Sequence, residues 1–135
     1  MPDTSTNIFV VAGMLNLLVG GLSGVPMARG RQSGASSVPK YLTALHMAGL
    51  MNGPILISIG FALTISTPSP WVNTASAIVL TFSSLLLICK DWLNWTHGIS
   101  DEFAEKSLGL SFGLVFGPIF IVGLGLATAG VISGI

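Results

Sequence analysis

Four long apolar runs, Ile8–Val25, Leu42–Ile65, Trp71–Cys89 and Leu108–Ile132, take up nearly the whole chain, and the third carries on towards Trp95. Each reaches the roughly 17 to 25 residues that a membrane-spanning helix needs. None shows the alternation of apolar and polar positions that marks a transmembrane barrel strand. The pattern predicts an all-α membrane protein. It is a single four-transmembrane-helix bundle over residues 1–135, with spans at about 8–25, 42–65, 71–95 and 108–132.

Composition strengthens that reading. Charged residues make up 7% of the 135, against about 25% in a soluble domain, so there is too little charge to coat a water-facing surface. The segment MPDTSTN has no Lys or Arg, so it lacks the basic start of a secretory signal and the first helix is expected to be kept. Cys89 is the single cysteine, and no CxxCH is present for covalent haem attachment. It reads as a small packing residue.

Charge placement sets the orientation. Arg29, Arg31 and Lys40 lie between helices 1 and 2, and Lys90 and Lys106 between helices 3 and 4. The other side, with the N-terminus, the STPSP turn and the C-terminus, has neither Lys nor Arg. The positive-inside rule puts both basic connections in the cytoplasm and both termini outside. Trp92 and Trp95 suit the cytoplasmic interface and Trp71 the opposite one. No phosphate loop, nucleic-acid patch or Ser-His-Asp arrangement is present.

Helices 2 and 4 share a stretch, GLMNGPILI at 49–57 and GLVFGPIFI at 113–121. Both helices run the same way, so the match suggests a tandem repeat of a helical hairpin. The polar residues belong to one copy, because Asn52 aligns with Phe116 and His46 with Leu110. Ionisable groups within spans are costly and point to function by default. Gly49, Gly53 and Gly60 fall within about 60° of the His46 direction, leaving a strip almost without side chains. Such a strip either lets another helix approach closely or takes a flat ligand. An imidazole over a bare apolar surface is also the setting of an axial haem ligand. Pro54 removes an N–H and should kink helix 2 beside Asn52, freeing the Leu50 carbonyl. Asn52 then lines a polar pocket or bonds to another helix.

Asn16 shares a face with Gly13, Gly20 and Gly24, so it should point into the bundle at a depth close to that of Asn52. Helix 3 carries a polar stripe of Thr74, Thr81, Ser84, Asp91 and Asn94. Asp91, near the level of His46, is either a site residue or a solvated group at the interface. Neighbours along a helix do not face each other, so Lys90 need not be its partner. His97 with Asp101, Glu102 and Glu105 is not read as a metal cluster. The acids look like the solvated start of helix 4, with Ser100 as its N-cap. Gly109, Gly113 and Gly117 form a ridge suited to helix packing or a subunit interface.

The pattern His46-x5-Asn52-Gly53 on the second of four membrane helices resembles the styrene oxide isomerase family, small membrane enzymes that hold a b-type haem through one histidine and assemble as trimers. Over the whole chain, in length and in the Asn16-bearing first helix, the sequence is similar to the hydroxylaminobenzene mutases of bacterial nitroarene breakdown. The resemblance implies haem b with His46 on the iron and Gly49 and Gly53 in the cofactor site. It also implies substrate contact for Asn52, with Asp91 and Asn16 as further catalytic candidates. A tyrosine of the isomerase pocket has no counterpart, Tyr41 being the only tyrosine, which turns the expectation from an epoxide to another substrate. The implied reaction is rearrangement of N-phenylhydroxylamine to 2-aminophenol in the bacterial inner membrane by a homotrimer.

Other classes remain. A four-helix multidrug exporter would want an acid in helix 1, where only Asn16 stands. A bis-histidine cytochrome would need two facing histidines, but His97 follows the tryptophan belt. A styrene-oxide-type isomerase and a non-enzymatic haem-binding or transport subunit stay open.

Overall fold

A computed structural model describes residues 3–64 and 70–133. They form four α-helices: α1 (Thr4–Gln32), α2 (Lys40–Thr64), α3 (Pro70–Thr96) and α4 (Leu108–Ile132). At 25 to 29 residues they are about 38 to 44 Å long, enough to cross an apolar layer of about 30 Å. All four are apolar enough to span a membrane. The chain folds as a four-helix membrane bundle. Ile65 and most of the STPSP turn lie outside the described residues.

α1 begins early because Asp3 caps it, accepting the Thr6 N–H at 2.8 Å. It runs well past the apolar stretch to Gln32, and Gly34, with a positive φ, ends the winding there. Gly98 plays the same part after α3. α2 continues through Pro54 without a break.

α1 packs mainly on α2 and α3 mainly on α4, as two hairpins. The hairpins meet mainly through α2–α3 and α1–α3, with a smaller contact between α2 and α4. At the end holding the termini, Phe9, Ala12, Leu56, Leu63, Ala77, Leu80 and Ala127 form the apolar core. Large side chains such as Leu22, Phe61, Ile121 and Val122 stay exposed. An apolar exterior of this extent is what a bilayer covers.

The interior of α3 is unusually polar. Asn73, Ser76, Ser83, Ser84, Asp91 and Asn94 are all buried. The stripe read from the sequence held Ser84, Asp91 and Asn94 but passed over Asn73, Ser76 and Ser83. Their spacing of three to four residues, centred on Leu80, is the signal that finds them.

Candidate functional site

His46 stands on the α1–α2 seam. Its Nδ1 lies 2.7 Å from the carbonyl oxygen of Gly20. A carbonyl can only accept, so Nδ1 carries the proton and donates. In a neutral ring this leaves Nε2 as the free lone pair, and Nε2 makes no hydrogen bond to a described residue. That is the form in which imidazole binds a metal. The donor chemistry is therefore that of a residue able to hold a metal through Nε2.

The glycine strip below the ring does not fit the expected macrocycle, because α1 fills it. A Cβ on Gly49 would fall 2.6 Å from the Cα of Gly20, and one on Gly53 would fall 2.9 Å from the Gly13 carbonyl oxygen. Gly60 takes the Phe9 side chain in the same way. Gly49 and Gly53 thus face α1, at the Gly20 and Gly13 backbone and the Leu17 side chain, which is the close helix approach of the two expected uses of the strip. The physical reason is that a bare strip in a membrane is filled most readily by another bare strip, and α1 offers one at Gly13 and Gly20.

Asn16 points inward, as expected, and its amide is fully engaged. Nδ2 donates to the Ala12 carbonyl and to Ser84 Oγ, both at 2.8 Å, and Ser84 Oγ donates back to Oδ1 at 3.1 Å. The pair lines a cavity of about 360 Å³ between α1 and α3, with Leu15, Thr81, Leu85 and Ile88 among its walls. Asn52 behaves differently. Among the described residues it has no hydrogen bond to another helix, and its Nδ2 is buried without a partner there. A buried donor left without a partner costs about 1 to 3 kcal/mol.

Of the two expectations for Asp91, the solvated one is excluded. The residue is 2% exposed, and its partner is the adjacent Lys90, at 3.0 Å. Neighbouring positions diverge on a helix, but the lysine stem is long enough to curl back. The same ammonium reaches Glu102 at 3.4 Å and lies over the Tyr41 ring. Asn94, fully buried, donates to Glu102 at 2.8 Å and accepts from Ser107 Oγ at 2.7 Å. Tyr41 Oη accepts the Glu102 N–H at 3.1 Å. The network ties the start of α2 to the end of α3 and the connection after it. Glu102 was not foreseen, since no spacing rule brings a loop acid back onto a helix.

The N-cap of α4 is also corrected. It is Ser107, whose Oγ accepts the Leu110 N–H at 3.1 Å, and not Ser100. The acids before it satisfy the connection itself. Glu105 accepts the N–H groups of Ser100 and Asp101, and Asp101 those of Phe103 and Ala104. His97 sits in the turn after α3, its N–H bonded to the Leu93 carbonyl.

The expected site residues therefore spread over three surfaces. His46 rests on α1, Asn16 turns to α3, and Asp91 belongs to the network at the far end of α3. On an ideal helix Asn52 points about 120° from His46. No described contact joins any two of the four. Neither a family model, a curated protein nor a solved structure matches this chain.

Proposed function

We propose that the chain is a membrane-bound isomerase of the mutase type, rearranging N-phenylhydroxylamine to 2-aminophenol with haem b held by His46. The observation that carries this reading is the Nδ1–Gly20 bond at 2.7 Å with Nε2 left unspent. His46 is the residue that would hold the haem, and a haem held there would supply Lewis-acid chemistry toward the N–O bond. Asn52, with its unspent amide donor, holds the oxygen or nitrogen of the substrate. The surrounding apolar helices receive the ring and exclude the water that would capture a cationic intermediate. Asn16 and Asp91, whose polar atoms are committed to Ser84 and Lys90, act as structural supports.

His46 and Asn52 diverge on α2, so a molecule in reach of both needs a wall that one copy does not supply. This supports a homo-oligomer, which we take as a trimer, in the bacterial inner membrane with both termini periplasmic. A non-enzymatic haem-binding or transport subunit is the second reading, favoured by the lack of convergence among the polar groups.

Membranes assayed with N-phenylhydroxylamine and with styrene oxide, alongside an absorption spectrum, separate these readings. The expected result is a Soret band and turnover of the hydroxylamine. His46→Ala should lose both. Asn52→Ala should keep the band and lose about 10²-fold in rate, as for one lost transition-state donor. A band without turnover of either substrate favours the non-enzymatic reading. His46→Ala with band and turnover intact overturns the ligand assignment.

A further inference from the structure

The Gly20 carbonyl serves more than the helix it belongs to. It accepts from His46 Nδ1 at 2.7 Å and from Ser23 Oγ, also at 2.7 Å. Ser23 is buried, at 6% exposure. Two side-chain donors converge on one oxygen, and a serine bonding back into its own helix turn tilts the carbonyl off the axis. Gly20 itself has to be bare, since a Cβ there would lie 2.7 Å from the Leu50 backbone nitrogen. That close approach brings α2 near enough for His46 to reach across.

One turn further along α1, Gly24 is bare for a different reason. A Cβ there would meet His46 Cε1 at 3.2 Å and Nδ1 at 3.5 Å. The ring thus lays its Nδ1–Cε1 edge along α1, in the space that a Gly24 side chain would take. Gly21, three residues before Gly24, has nothing within 4 Å, so of these two glycines only Gly24 has the ring beside it.

We propose that Gly20, Ser23 and Gly24 of α1 are the positioning residues for His46. The carbonyl fixes the Nδ1–H tautomer, Ser23 aims that carbonyl, and Gly24 leaves room for the ring to lie flat. Nε2 then carries its lone pair away from α1, fixed before any ligand arrives. An imidazole fixed in tautomer and orientation by its second nitrogen is a better metal ligand, and loss of such a support typically weakens binding about 10- to 100-fold. The inference rests on His46 as the ligand residue but is tested without a ligand.

The full chain with His97→Gln, in lipid nanodiscs, has one remaining histidine, so its ¹⁵N spectrum reports His46 alone. The expected spectrum has a protonated Nδ1 and an unprotonated Nε2. Gly24→Val, which displaces the ring, should replace this with a mixture of tautomers and weaken haemin binding about 10- to 100-fold. Ser23→Ala should move the spectrum the same way by a smaller amount, and Ser23→Thr should restore it. Gly21→Ala should leave both readouts unchanged. A protonated Nε2 in the parent, or an unaltered spectrum in Gly24→Val, overturns the proposal. A Gly24-sensitive single tautomer with no haemin binding leaves α1 as the positioning element and removes the haem reading alone.

Discussion

α2 and α4 carry nearly the same stretch, GLMNGPILI at 49–57 and GLVFGPIFI at 113–121, yet they are held in different ways. In α2, Gly49 meets only backbone, at Gly20 and Asn16, and Gly53 meets the Gly13 carbonyl together with the Leu17 side chain. In α4, Gly113 meets the aliphatic stem of Lys90, and Gly117 meets nothing within 4 Å. The hairpin α1–α2 thus includes main-chain approach at Gly49 and Gly53, whereas the glycines of α4 that have a neighbour meet only side chains of α3. A glycine pattern fixes how near a partner can come, but what comes is decided by the partner. α1 brings glycines of its own, and α3 brings Lys90, Asn94 and Leu80.

The largest effect should come from the side-chain hairpin. Lys90→Met keeps the stem against Gly113 but strips Asp91 and Glu102 of their cation. Removing one member of a buried ion pair costs about 3 to 5 kcal/mol, and we expect the lower end because Lys90 and Glu102 keep some exposure. Reversible unfolding in lipid, with Asp91→Asn added to Lys90→Met, checks this. The second substitution should recover part of the loss. No loss in Lys90→Met would mean that α4 is not held through the network.

Gly49→Ala attacks the main-chain hairpin. The new Cβ has backbone in its path and nothing flexible to push aside, so overpacking of about 1 to 3 kcal/mol is expected. Its counterpart Gly113→Ala meets only the Lys90 stem, at 3.0 Å, and should cost less because that stem can swing. Equal losses at the two positions would erase the contrast between the hairpins.

Gly117→Ala should have a smaller effect of opposite sign. With open space around it, the added methyl gives the helix about 0.5 to 1 kcal/mol. A loss there instead, accompanied by dissociation of an oligomer, would place a second copy on this face of α4.

The number and order of the helices were legible, because apolar runs of this length admit few structures. Asn16 was legible too, since its glycine-bearing face had to meet another helix. The strip at Gly49 and Gly53 was legible as bare, but its occupant was not: the same spacing in α4 leads elsewhere, and spacing does not name the partner. The pairing of Asp91 with Lys90 was not legible for a related reason. Helical periodicity describes Cβ directions, and Lys90 reaches Asp91 with the far end of a flexible stem. Ser100 and Ser107 both suit an N-cap. The choice fell to Ser107 because Asp101 and Glu105 spend their oxygens on amides of the connection itself.

The smallest effect concerns pH, and it should fall on one hairpin only. Residues 33–39, joining α1 to α2, contain no carboxylate, whereas the connection after α3 is organised by two. The Ala104 and Phe103 amides hold the Asp101 carboxyl below its ordinary value, and those of Asp101 and Ser100 do the same for Glu105. A carboxyl with a lowered folded pKa adds stability that is fully present above its ordinary value. That stability is lost as the pH falls through the folded value. From about pH 4 downward, the segment from Ser100 to Ser107 should therefore loosen while α1–α2 stays unchanged. The effect is local because both groups are fully exposed. Carbon-detected titration of the two carboxyls should give midpoints below the ordinary carboxylate range. In Glu105→Gln the Ser100 and Asp101 amides should exchange faster even at neutral pH. Midpoints at or above the ordinary range would mean that the acids do not organise the connection. The delivery of Glu102 to Lys90 would then need another cause.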